Sequence, residues 1–227
     1  MLRRLPALPY PMPAAFQTSE RVRVGVAVAA WTGVLLQLGL SLRTAAEDGQ
    51  TWGMGLVMYF GYFTVFTNWF VALVCTLPSL AWKSRPLAWL YRPSVAGCAT
   101  TAILLVGIVY HFLLREVWDS QGLQWVADII LHYVVPAGAL AWWWLQTRDA
   151  ALDWSMPLRW CSYPFIYLGY VMIRGEITGI YPYPFIEVGQ IGHNRALLNA
   201  FGMIAVFMVL GFAVHGIARM RLGRHGG

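Results

Sequence analysis

Charge is what this chain has least of. Only 11% of its 227 residues are Asp, Glu, Lys or Arg, against about a quarter in a soluble domain. Hydrophobic residues make up 59% of the chain, and mean hydropathy is +0.56. Such a chain cannot surround itself with polar side chains, so a water-soluble globule is excluded. Lysine occurs once, at Lys83, which removes a retinal Schiff base, since that chemistry needs a lysine inside a helix. Cysteine occurs three times, at Cys75, Cys98 and Cys161. Their spacing fits neither a metal centre nor a disulfide framework, and packed, reduced thiols are expected. No G-x-S-x-G, no H-E-x-x-H and no glycine-rich phosphate loop is present, so the familiar soluble hydrolase and nucleotide-binding signatures are missing. There is no internal repeat. Nothing implies a metal or a cofactor.

What is present is long apolar runs. Six stretches approach the ~20 residues of helix that cross a bilayer core, at roughly 22–42, 54–77, 95–114, 123–145, 158–174 and 196–217. The fifth is the shortest; Pro157 suits its first turn and Pro164 is expected to kink it. Prolines at 6, 9, 11 and 13 interrupt any apolar signal-peptide region. Residues 1–21 therefore read as a flexible basic cytoplasmic tail, 22–217 as a six-helix membrane domain, and 218–227 as a second basic tail.

The net charge of +6 is a matter of orientation, not of nucleic-acid binding. One set of inter-span segments holds Arg3, Arg4, Arg21, Arg23, Lys83, Arg85, Arg92, Arg148, Arg159, Arg219, Arg221 and Arg224. The opposite set holds only Arg43, Arg115, Arg174 and Arg195. Positive residues stay on the cytoplasmic side, so this bias predicts an all-α, six-transmembrane-helix bundle of the inner membrane with both termini cytoplasmic. The tryptophans are expected to form headgroup belts. Trp52, Trp118 and Trp125 fall at outer helix ends, and Trp82, Trp89, Trp142, Trp143, Trp144, Trp154 and Trp160 at inner ones.

Polar groups at membrane depth are expensive and mark function. Asp128 and His132 lie at i, i+4 in the fourth span, and Thr64 and Asn68 at i, i+4 in the second, with Thr67 beside them. That spacing stacks each pair on one helix face. At 1.5 Å per residue, His132 and Thr64 lie ~12 and ~14 Å from the outer end of their spans, at similar depth. Tyr110 and His111 near the end of the third span, Arg174 at the end of the fifth, and Tyr181, Tyr183, Glu187, His193, Asn194 and Asn199 all gather in the same outer half. A hydroxyl nucleophile needs a base, and the base needs an orienting group. Thr64, His132 and Asp128 supply those three parts if their helices face each other.

Four blocks sharpen this reading. They are YFTVFTN (62–68), ILHYVVP (130–136) with its His-x-x-x-Pro, YPFIYLGYVMIRG (163–175) and YPYPFIEV (181–188). Together they resemble the bacterial relatives of the androgen-induced, androgen-dependent TFPI-regulating membrane protein family, over about residues 22–217. The resemblance implies an intramembrane hydrolase of fatty acid esters of hydroxy fatty acids that uses a threonine and a histidine. Carried over by motif, Thr64 takes the nucleophile's place and His132 the histidine's. The family's asparagine stands closer to its threonine than Asn68 does to Thr64, which leaves Thr67 as a rival nucleophile. Acyl transfer from a lipid ester is then the implied reaction, with Asp128 holding the imidazole. Asn68, Tyr110 or Arg174 would be the oxyanion donors, Arg174 being also a candidate partner for a substrate carboxylate, and His111 and Tyr183 complete the substrate-binding group.

Two other classes compete. A lipid-binding sensor or a small-molecule or proton-coupled transporter would use Asp128 and His132 to hold a headgroup or carry protons, although the absence of repeated halves weighs against a transporter. A haem or quinone carrier would use His111 and His132 as axial ligands, without any accompanying haem motif.

Overall fold

The computed structural model describes residues 14–77, 89–90, 92–117, 120–146 and 153–223. Arg3, Arg4, Lys83, Arg85, Arg148, Arg224, Trp82 and Trp118 lie outside the described residues, as does most of the expected N-terminal tail. Every regular element described is helical. Helix α1 spans Ala14–Glu47, α2 Trp52–Tyr59, α3 Phe63–Thr76 and α4 Pro93–Val109, the last continuing as a π-helical turn over Tyr110–Leu114. Helix α5 (Gly122–Ile129) passes through a second π-helical turn, Ile130–Val134, into α6 (Val135–Gln146). Then come α7 (Met156–Trp160), α8 (Ser162–Thr178), a 3-10 turn at Pro184–Ile186, α9 (Val188–Ile191) and α10 (His193–Gly223). Among the described residues, four helical stretches are long and apolar enough to cross a membrane, and five if the bent pair α2–α3 counts as one.

The ends of the first and last helices correct the expected tails. Helix α1 begins at Ala14, immediately after the last of the four early prolines, because nothing in Ala14-Ala15-Phe16-Gln17 opposes a helix. Helix α10 likewise runs on to Gly223 through Arg, Met and Leu, all good helix formers. Arg219 there lies 5.3 Å above the Trp154 ring.

The second expected span is not one helix. Helices α2 and α3 meet at 78° across Phe60–Tyr62. A helix interrupted in an apolar interior frees backbone carbonyls that must find donors, and here helix α8 supplies them. Arg174 donates to Val57 O from Nε and Nη2 at 3.1 and 2.7 Å, Tyr170 to Phe60 O at 2.9 Å and Tyr167 to Gly61 O at 2.7 Å. Gly61 is required at the bend. A Cβ there would lie 2.9 Å from the Arg174 guanidinium carbon.

The fifth stretch is also divided, at Cys161 between α7 and α8. Pro157 occupies the first turn of α7. Pro164 acts three residues upstream of itself, since a proline ring clashes with the carbonyl four positions before it, here that of Trp160.

Helix α1 packs along α2, α3 and α6, while α4 packs on α3, α6 and α10. Small residues let these helices approach closely, among them Ala30, Ala72, Ala99 and Ala102, all buried. The bundle's outside carries large apolar side chains such as Phe112, Ile166, Ile177 and Leu198, each more than 70% exposed. The three cysteines are buried thiols. The inner tryptophan belt needs correction: Trp142, Trp143 and Trp160 are buried in the protein, with Trp160 seated over Gly97, whereas Trp89, Trp144 and Trp154 are exposed.

Candidate functional site

The bend between α2 and α3 decides where the site forms. It begins a new helix at Phe63, with Tyr62 as its N-cap, so Thr64 sits in the first turn. The backbone N–H groups of Phe63 and Thr64 therefore have no helical acceptor. The Tyr183 hydroxyl, brought in by the 179–187 segment, stands against both of them and against the Thr64 side chain.

His132 arrives from the other side on the π-helical turn Ile130–Val134. Pro136, four residues on, has no N–H to offer the His132 carbonyl, which is where a regular helix would demand one. A π-helical turn is the local answer, and such turns gather at functional sites. Helix α4 closes on this point through Gly107, where a Cβ would come 2.9 Å from His132 O. The second π-helical turn, on α4, presents Tyr110, whose ring stacks on the imidazole with centroids 3.8 Å apart and planes 12° from parallel.

Thr64 Oγ1 and His132 Nε2 are 3.4 Å apart. Both residues are buried. His132 Nδ1 lies 3.0 Å from the main-chain oxygen of Asp128, and a carbonyl can only accept. The proton is thus on Nδ1, and the Nε2 lone pair faces the threonine hydroxyl. The separation is long for a hydrogen bond, as is common at reacting pairs before substrate binds. The arrangement suits proton removal from Thr64.

Asp128 orients the ring through its backbone, not through its carboxylate, which corrects the expected role. The nearest carboxylate oxygen is 3.8 Å from Nδ1. That carboxylate instead accepts from the Ser120 hydroxyl and from Gln124 Nε2 at 3.2 Å. Gln124 also donates to Gln37 Oε1 of α1 at 2.9 Å.

The other expected residues separate into near and far. Asn68 spends its amide N–H groups on Thr64 O at 2.9 Å and Leu131 O at 3.4 Å; it ties α3 to the π-helical turn and is not free to meet an oxyanion. Arg174 is buried and committed to Val57 O and, through Nη1 at 2.8 Å, to Ile180 O, so it is neither an oxyanion donor nor a carboxylate clamp. Thr67 points away, with its hydroxyl 3.1 Å from that of Tyr163. His111 Nδ1 is 3.2 Å from the Tyr133 hydroxyl and lines neither cavity of the site. Tyr110 and Tyr183 do border the pair. Ser120, Gln37 and Gln124 were not foreseen. Gln124 was findable, because it precedes Asp128 by one turn on the same face; a serine in a connecting segment carries no such signal.

Two cavities meet at Thr64 and Tyr183. One, of about 490 Å³, is the more polar and is lined by His132, Asp128, Tyr110, Ser120, Gln124 and Gln37 among others. It is roomy enough and polar enough to hold water. The other, of about 80 Å³, is apolar and runs between α3, α4, α8 and α10 past Val109, Leu105, Val171 and Met203. Among the described residues no group of three or more His, Cys, Asp or Glu side chains could hold a metal ion.

Compared with known proteins, the chain matches no family model, no curated protein and no solved structure.

Proposed function

We propose that this protein is an intramembrane hydrolase of lipid esters with Thr64 as nucleophile and His132 as base. The observation that carries the reading is the 3.4 Å approach of Thr64 Oγ1 to an imidazole whose other nitrogen is held by a carbonyl, at the junction of a polar and an apolar cavity. The likeness of the Thr64 and His132 blocks to the androgen-induced family supports it further. The apolar side suits the first methylenes of an acyl chain, and the larger, more polar side suits water and the alcohol half.

In the first half-reaction, Thr64 Oγ bonds to the ester carbonyl carbon while His132 Nε2 takes the hydroxyl proton. The tetrahedral oxyanion needs a donor fixed in advance, and the Tyr183 hydroxyl, which stands against the Thr64 side chain, is placed to be it. The ester C–O bond then breaks, and His132 returns the proton to the departing alkoxide. In the second, His132 deprotonates a water from the larger cavity as it attacks the threonyl ester carbon; the C–Oγ bond then breaks, His132 returns the proton to Thr64 Oγ, and the fatty acid leaves. Tyr110, stacked on the ring, keeps the imidazole in plane through both steps.

The membrane setting belongs to the same proposal. Six crossings are made by α1, the bent pair α2–α3, α4, α5–α6, the divided α7–α8 and α10, with both termini cytoplasmic in an inner membrane, as the arginine bias favours. The site then lies beneath the outer surface, where a lipid ester reaches it sideways.

The test is hydrolysis of long-chain esters by detergent-purified protein. We expect turnover in the wild type, and a loss on the order of 10²–10⁴-fold in His132→Ala, the usual worth of a general base. An alkyl fluorophosphonate should label the wild type and spare Thr64→Ala. Ester turnover that neither substitution changes would move the site to a binding role in a sensor or transporter.

A further inference from the structure

The polar cavity carries information about the half of the ester that leaves. Its hydrogen-bonding groups are carboxamides and hydroxyls: Gln37 and Ser41 of α1, Ser120 and Gln121 before α5, Gln124 on α5 and Tyr110 on α4. Each of these can both donate and accept, or do so by rotating a hydroxyl. Among the described residues the one acidic side chain on its wall is Asp128, and its carboxyl group is already met by Ser120 and Gln124.

Among the described residues that line the cavity there is no Lys or Arg. The two arginines closest to it in sequence are engaged outside: Arg43 with Glu47 at 2.7 Å and Arg115 with Glu116 at 2.8 Å. Arg174, the one buried arginine in this half among the described residues, is committed to the carbonyls of Val57 and Ile180. A substrate carboxylate or phosphate placed here would face a carboxylate with no countercharge in a partly desolvated space, which is strongly unfavourable. An uncharged head bearing several hydroxyls can exchange into this network, in which Gln37 and Gln124 pair with each other, without leaving a charge unpaired.

Resting on the hydrolase reading, we infer that the alcohol half of the substrate is an uncharged polyhydroxyl head of the glycerol type, and that lipids with an anionic head are rejected. The acyl chain lies beyond Thr64 on the apolar side, and the head departs into the amide-lined cavity as His132 protonates its oxygen.

Three oleoyl esters separate the outcomes when presented to the full chain at equal mole fraction in nonionic micelles: monooleoylglycerol, the oleoyl ester of a hydroxystearic acid as free carboxylate, and that same ester with its carboxylate methylated. We expect kcat/KM for monooleoylglycerol to exceed that for the free carboxylate at least tenfold, with methylation recovering most of the difference. Two variants read the cause. Gln124→Leu, which removes a head partner, should lower kcat/KM for monooleoylglycerol more than for the methylated ester, and an equal loss on both would count against the head assignment. Ser41→Arg, which adds a cation to a half-buried position on the wall, should raise kcat/KM for the free carboxylate relative to the other two. A free carboxylate cleaved as fast as monooleoylglycerol by the wild type, with both cleavages lost in Thr64→Ala, would overturn the head assignment and leave the hydrolase standing. Failure to cleave any of the three would overturn both.

Discussion

Thr64 and Thr67 are one helical turn apart on α3, both buried, yet they belong to different surroundings. Thr64 faces an imidazole nitrogen and opens on two cavities. Thr67 is enclosed, its hydroxyl paired with Tyr163 within an aromatic group that includes Phe63 and Phe70. The same side chain on the same helix thus faces an imidazole in one place and packs among aromatic rings in the other. What separates them is the 100° of helix rotation per residue and the bend at Phe60–Tyr62, which starts α3 one residue before Thr64.

The sharpest way to break that contrast is to remove each hydroxyl in turn. Thr64→Ala should bring ester turnover to background, a fall on the order of 10⁶-fold where a triad's hydroxyl nucleophile is removed. Thr67→Val should leave turnover within a few-fold but cost roughly 1–3 kcal/mol of stability, because the Tyr163 hydroxyl is left buried without its partner. Thermal unfolding in detergent alongside turnover distinguishes the two, and an inactive, normally stable Thr67→Val would reverse the assignment.

Tyr183 is next in size. Tyr183→Phe keeps the ring packed on Tyr62 and Phe185 and deletes only the hydroxyl. We expect kcat to drop about 10²-fold with KM little changed, the signature of one lost oxyanion donor. An effect confined to KM would assign Tyr183 to substrate binding instead.

Arg174 acts through the bend. Arg174→Met leaves Val57 O and Ile180 O without their donor, so α3 should shift against the π-helical turn. We expect kcat to fall about tenfold, in keeping with the sensitivity of catalysis to misplacement near 1 Å. The melting temperature should fall as well, and fluorophosphonate labelling should slow. Unchanged kcat with a lower melting temperature would make the bend purely structural.

Much of the helix framework was legible in the sequence. Apolar run length located α4, α5–α6 and α10 to within a few residues, because periodic burial is not needed where nearly every residue is apolar. The bend in the second stretch was hidden because hydropathy is blind to it: Phe60, Gly61 and Tyr62 are as apolar as their neighbours, and the partners that stabilise the break come from α8, over a hundred residues away. Gly61 was the one local hint. Equal depth brought Thr64 and His132 together on paper, but rotation about the helix axes, on which the contact depends, is set by packing. For the same reason the sequence could not tell that Asn68 and Arg174 face carbonyls. The Asp128 carbonyl as the imidazole's partner is a backbone property that no side-chain pattern reveals.

One tether has a consequence for how the protein meets its surroundings. The Asn68 amide joins the Thr64 carbonyl to the Leu131 carbonyl, the backbone of one member of the pair to the residue just before the other. Threonine and histidine are thereby stapled to each other independently of how their helices lean. Lipids of different acyl length change bilayer thickness and are accommodated by helix tilt, and such tilting would carry the stapled pair as a unit. Reconstituted in short- and long-chain lipids, the protein should keep the same turnover per molecule while its outer helices adjust.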